Sequence, residues 1–196
     1  MSALPNVSTT IEGRVEYAAA DAPKVTFRTG AGELLAVAEH RTEAGVRGRL
    51  ANLLGSARVR CRISCSDGST VWIESKDAAW TRVHRGDGVS VGAILHAETA
   101  TAVASTGGTL FHFVPDPAPS PVPESSRLLL LDQSGGEVGC LELAHATDAA
   151  PDANRLAISG IRVSVPHRVD RVERDILLAA CVDMTLGSRS YFAGPR

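Results

Sequence analysis

Asp170-Arg-Val-Glu-Arg-Asp-Ile-Leu-Leu-Ala-Ala-Cys-Val-Asp-Met-Thr-Leu186 is the stretch that decides the fold. It holds good helix formers and no glycine or proline, so it reads as a helix. Asp170 stands where an N-cap accepts backbone N–H groups, Glu173 follows three residues on, and Gly187 comes after the last apolar position as a stop. Val172, Ile176, Leu177, Ala179, Ala180 and Cys181 reach around much of the circumference, and Asp183 is the only charge in the later half. A surface helix keeps a broad polar face, so this one is expected to be enclosed by strands on most sides. Asp183, carried inside, must then be paired or hydrogen-bonded, and Arg174 is too far along the same helix to be its partner.

The strands to enclose it are written upstream. Val25–Arg28 leads through Thr29-Gly-Ala-Gly32 to Leu34–Val37, and Arg60–Cys65 leads through Ser66-Asp-Gly68 to Thr70–Ile73. Thr101–Ala104, Ser105–Gly108 and Thr109–Phe113 repeat the plan, as do Arg127–Leu131, Asp132–Gly136 and Glu137–Leu143. Each unit is a hairpin, because glycine at the turn tolerates the left-handed conformation that matches the twist of the flanking strands. Together the four form a weak internal repeat. Alternation assigns the faces: Val59, Cys61 and Ile63 point to a core while Arg58, Arg60 and Arg62 point to water. Val89, Val91 and Ala93 alternate less cleanly with Ser90, Gly92 and Ile94, as a strand covered on both sides or paired at a bulge would.

Between Phe113 and Ser126 five prolines occupy alternating positions, which predicts an extended connector over 114–126. The expected layout is an N-terminal tail over 1–14, one domain over 15–186 with halves at about 15–113 and 127–186, and a C-terminal tail over 187–196. With 44% hydrophobic and 21% charged residues in 196, the chain has the composition of a folded globular protein, not a disordered one. The formal charge of −2 makes nucleic acid an unexpected partner, so any anion binding must be local. The strongly apolar run Ile176–Val182 is far shorter than the ~20 residues of a spanning helix, and no transmembrane segment is expected. The opening Met1-Ser-Ala-Leu-Pro5 has neither the basic leader nor the apolar stretch of a signal peptide. A cytoplasmic location, at most peripheral to a membrane, is therefore the expectation, with reduced cysteines.

A proline-linked pair of glycine-turned meanders ending in a nearly all-apolar helix resembles the tubby-like C-terminal fold, closest to its LURP-one-related and phospholipid-scramblase-like group. The resemblance rests on Asp132, Gly135, Gly136, Val138 and Gly139, on Asp87, Gly88, Val91, Gly92 and Ile94, and on the Arg174–Met184 segment. It implies a mainly β fold, a closed antiparallel barrel of about twelve strands in two related halves around a buried C-terminal helix. It also implies lipid binding, although no motif carries the family's headgroup-binding basic residues onto this chain.

Arg41, Arg47, Arg49, Arg58, Arg60 and Arg62 face a single acid, Glu43, across residues 41–62. Arginine suits bidentate phosphate contacts, and these six are the lipid or anion-binding candidates. Trp80 with Arg82 and Arg85 is a candidate interfacial rim, whereas Trp72 is expected in the core. Cys61 and Cys65 share a strand face about 13 Å apart, too far for a disulfide or a shared zinc. Cys140 falls in a strand and Cys181 in the helix, so all four read as buried filler. No histidine spacing fits a metal helix or nucleophile elbow, and Asp132 with Glu137 merely brackets a turn. No catalytic residue, metal or cofactor is assigned. The expected function is a non-enzymatic module, not an enzyme, that binds anionic lipid headgroups or a membrane surface. The alternative is a protein–protein adaptor or assembly component with no small-molecule ligand; the oligomeric state stays open.

Overall fold

The computed structural model describes residues 8–16, 23–40, 59–75, 79–97, 99–118, 125–145 and 158–186, with the side chains of Val59 and Arg60 excepted. Twelve strands follow one another: β1 (Thr9–Glu16), β2 (Lys24–Thr29), β3 (Leu34–His40), β4 (Val59–Cys65), β5 (Thr70–Ser75) and β6 (Trp80–Arg85). After these come β7 (Ser90–His96), β8 (Ala100–Ala104), β9 (Thr109–Pro115), β10 (Ser125–Leu131), β11 (Glu137–His145) and β12 (Ile158–Val165). Each pairs antiparallel with its sequence neighbours, and β12 pairs with β1 to close the barrel. The helix α1 (Arg171–Leu186) occupies the interior.

A barrel of this many strands is too wide for its own inward side chains to fill, so a plug is required. Every α1 residue from Asp175 to Met184 is buried, and the helix packs against β4, β5, β6, β7, β8 and β12. The inward rows of the strands meet it with Phe27, Ile63, Val71, Ile94, Phe111, Leu130 and Leu141, all essentially inaccessible. The N-terminal cap is reciprocal as anticipated: the Glu173 N–H donates to Asp170 Oδ1 (2.8 Å) and the Asp170 N–H to Glu173 Oε2 (2.9 Å).

The turns at one rim are built alike. The carbonyls of Thr29, Cys65, Arg85, Ala104 and Asp132 each accept the N–H of the glycine three residues on, at 2.8–3.0 Å, and those glycines have φ of 80–89°. This is a type I turn closed by a left-handed glycine bulge, and it gives the internal repeat a structural form in five copies.

Three expectations are adjusted. Strand β1 starts at Thr9, six residues before the expected domain start at 15, and its pairing with β12 is what closes the barrel. The proline-rich connector is narrower than 114–126: Val114 and Pro115 pair with Leu129 and Leu128, and Ser125 and Ser126 pair with Ala144 and Leu143. The sheet thus runs on across it, with residues 119–124 outside the described set. Trp72 is not in the core. Val71 and Ile73 take the inward positions, so strand alternation turns Trp72 outward, where it is half-buried.

A candidate binding face on the outer wall

Two buried carboxylates fix α1 in the barrel. Asp175 accepts Arg85 Nε–H at 3.0 Å and the Arg174 guanidinium at 2.9 and 3.2 Å, and Arg174 reaches on to Asp67 at 2.9 Å. At the other rim Asp183 accepts the Thr81 hydroxyl at 2.9 Å and lies 3.2 Å from His96 Nε2. Thr81 and Arg85 both belong to β6. Their four-residue separation spans about 13 Å of strand, and the eight residues from Asp175 to Asp183 span about 12 Å of helix, so the two pairs meet in step. Thr81 is fully buried and its hydroxyl proton goes to Asp183, so this Thr–His–Asp cluster presents no nucleophile to solvent.

The outward side chains of β4 to β8 form registered rows. Glu39, Arg62, Trp72 and His84 lie side by side across β3 to β6, and Arg60, Glu74, Arg82, Ala93 and Val103 across β4 to β8. A third row begins with Trp80 and Leu95, at the rim opposite the glycine turns. The Arg82 guanidinium sits 5.0 Å from the Trp80 ring centroid, a cation–π stack that orients it. Glu74 Oε1 lies 3.5 Å from His84 Nε2, and His84 Nδ1 lies 3.2 Å from the Arg85 carbonyl. Strand β6 carries Arg82 and His84 outward, while β7 beside them carries the small Ser90 and Ala93. The step between them opens a concavity of about 560 Å3, lined by Glu74, Arg82 and His84 on one side and by Ser90, Ala93 and Ser105 on the other.

The candidate residues separate on this frame. Trp80 and Arg82 come together at the wall. Arg85 lies at the other rim on Asp175. Arg62 is half-buried between Glu39 and Trp72 in register, and its Nε has no partner among the described residues. Arg60 is in register with Glu74, its side chain outside the described set. Arg41, Arg47, Arg49 and Arg58 lie outside the described residues. Counting charges along 41–62 overlooked Glu39 and Glu74, which neighbouring strands bring against the arginines. Asp175 and Leu95 also went unnoticed. Asp175 was legible as a second acid in the same helix, eight residues before Asp183, whereas Leu95 needed the β6–β7 register.

Among the described residues no group of three or more His, Cys, Asp or Glu could hold a metal ion, and no helix is long and apolar enough to cross a membrane. All four cysteines are free. Burial, with the Asp183 charge second, pushes the Cys61 thiol up to about 12, and burial raises Cys65 and Cys181 as well. Cys140 alone is half-exposed. A disulfide-exchange reagent at pH 8 should therefore label one thiol rapidly in the native protein and four after denaturation; two or more fast native thiols would contradict this interior.

No known protein family, characterised protein or solved structure matches the chain.

Proposed function

We propose that this protein is a non-enzymatic binding module of the tubby-like type whose outer wall at β4–β8 engages the anionic headgroups of a membrane surface. The observation that carries the reading is the pairing, at one rim, of an apolar edge with an oriented cation. Leu95 is 43% exposed beside half-buried Trp80, and Arg82 is stacked on that tryptophan. Tryptophan and leucine favour the interfacial zone, and arginine near an anionic leaflet contributes about 1 kcal/mol of attraction. The interior is filled by α1, so a ligand is met on the outside of the barrel. In sequence, Arg41, Arg47, Arg49 and Arg58 stand between β3 and β4, outside the described residues.

Flotation with vesicles tests the reading. Neutral phosphatidylcholine vesicles should leave the protein unbound, and vesicles containing an anionic phospholipid should carry it upward at physiological salt. Trp80→Ala with Leu95→Ser should weaken that binding at least tenfold, and so should Arg47→Glu with Arg49→Glu. Absence of binding to every vesicle would remove the membrane reading and leave the Trp80–Leu95 edge to a protein partner, the adaptor function.

A further inference from the structure

The outer wall of the barrel is divided by charge. Arg127, Glu142, Arg162, Glu12 and Arg28 stand side by side in one registered row from β10 through the closure to β2, and Glu16, Lys24, Glu39 and Arg62 in another from β1 to β4. Opposite charges across neighbouring strands satisfy one another, and such rows are at home in water. The outward positions of β7 to β10 are different. Leu95, Val103, Val114, Leu129 and Leu131 make most of that surface, and no acid, lysine or arginine stands among them until Arg127, paired with Asp116, marks the margin. In its middle His112 Nδ1 lies 3.1 Å from Thr101 Oγ1 on the neighbouring strand, so the polar pair satisfies itself and can be covered at little cost.

We propose that this face of β7–β10 is where a second copy of the chain docks, as a reversible dimer about a twofold axis that runs along the strands between β8 and β9. One registered row shows why the occupant is the same surface. From β6 to β11 it reads Trp80, Leu95, Thr101, His112, Leu131 and Glu137. A twofold axis through its middle reverses the row, so Leu95 of each copy meets Leu131 of the other and Thr101 meets His112. Glu137 then arrives at the end where Arg82 is stacked on Trp80, an acid against a cation. Four strands ~4.8 Å apart and about 20 Å long present roughly 400 Å2 in projection, and a pair buries on the order of 1,000 Å2 once side-chain relief is counted. That is the low end of specific interfaces, so the dimer forms in the range of about 10–100 µM. The inference goes beyond membrane binding and does not rest on it. Leu95 belongs to both surfaces, so the dimer keeps the Trp80–Leu95 edge off a bilayer.

Sedimentation equilibrium without lipid, over about 5 to 500 µM protein, should show the mean mass rise from 20.5 kDa toward twice that value. Leu95→Lys alone and Leu131→Glu alone should each weaken the dimer about tenfold or more, because the twofold places two unpaired charges against leucine. Mixed in equal amounts, the two variants should regain it. The introduced ammonium then meets the introduced carboxylate at one contact, and leucine meets leucine at the other. Such a rescue cannot come from poor folding of either variant. A mass of 20.5 kDa at every concentration would overturn the second copy as occupant and leave the face to a bilayer or a different protein, which flotation separates. A dimer that neither variant weakens, or that mixing does not restore, would overturn the twofold pairing. Vesicle binding can fail with the dimer intact, and the dimer with vesicle binding intact, so the two readings fall separately.

Discussion

Gly92→Ala should destabilise the barrel by ~3 kcal/mol or more, at or beyond the upper end of ordinary overpacking. A Cβ at residue 92 would stand 2.1 Å from the Val103 carbonyl oxygen and 3.0 Å from Ile176 Cδ1. The first of these is backbone on the paired strand β8, and it cannot swing aside as a side chain would. The added methyl must therefore part β7 from β8 or push α1 off the wall. For a chain of this size each kcal/mol shifts Tm by about 2–4 °C, so a fall of roughly 6–12 °C is expected in calorimetry. Gly88→Ala is the control. Gly88 has φ of 86° with nothing within 4 Å of the added Cβ, so only the left-handed conformation is penalised, at ~1–2 kcal/mol. Equal losses for the two variants would show that the β7–β8 approach is not the constraint.

The second large effect concerns Asp175, whose side chain is 1% exposed. Arg85→Met with Arg174→Met removes both cations that face it while keeping much of the aliphatic bulk. Breaking a buried pair from one side strands the other charge, at ~3–5 kcal/mol, and the double variant should lose stability on that scale in urea titration. Adding Asp175→Asn should restore a good part of it, since the stranded charge is then gone. If the triple variant is no more stable than the double, the arginines matter for packing and the electrostatic account fails. Asp67 adds a pH term: the Ser69 hydroxyl and N–H, with Arg174 behind them, hold its carboxyl well below the usual carboxylate range. A depressed folded pKa gives stability that is present above pH ~4 and lost as pH falls through the folded value, so acid should loosen this rim. The contribution is modest, because Asp67 is 43% exposed and water screens the pair.

The barrel and its plug were largely legible because each rests on local pattern. Asp170 and Glu173 announced the cap, the run from Ile176 to Val182 announced enclosure, and a glycine closed each quoted turn. Trp72 shows where weighting went astray: its neighbours Val71 and Ile73 already assigned it to the outer face, but the general preference of tryptophan for burial was allowed to outweigh alternation. The candidate face was much less visible. Its charge balance depends on Glu39 and Glu74 arriving from strands β3 and β5, and its apolar edge on Leu95 arriving beside Trp80. Both are facts of register across the sheet, which a window moving along one chain does not contain. The arginine cluster illustrates the difference, since the same Arg62 looks unopposed along β4 and stands beside a carboxylate across it.

The two rims also decide how the molecule should be held. The chain enters the barrel at Thr9 on the rim of short glycine turns and leaves it at Leu186 on the other, about one strand length or ~23 Å away. A tether attached ahead of residue 9 would anchor the regular end and leave the Trp80–Leu95 edge facing solution. One attached after residue 186 would emerge on the side of that edge and compete with whatever docks there. The same protein immobilised through its two termini is thus two different reagents, and a binding signal seen with one and missing with the other would itself report on which rim the ligand is met.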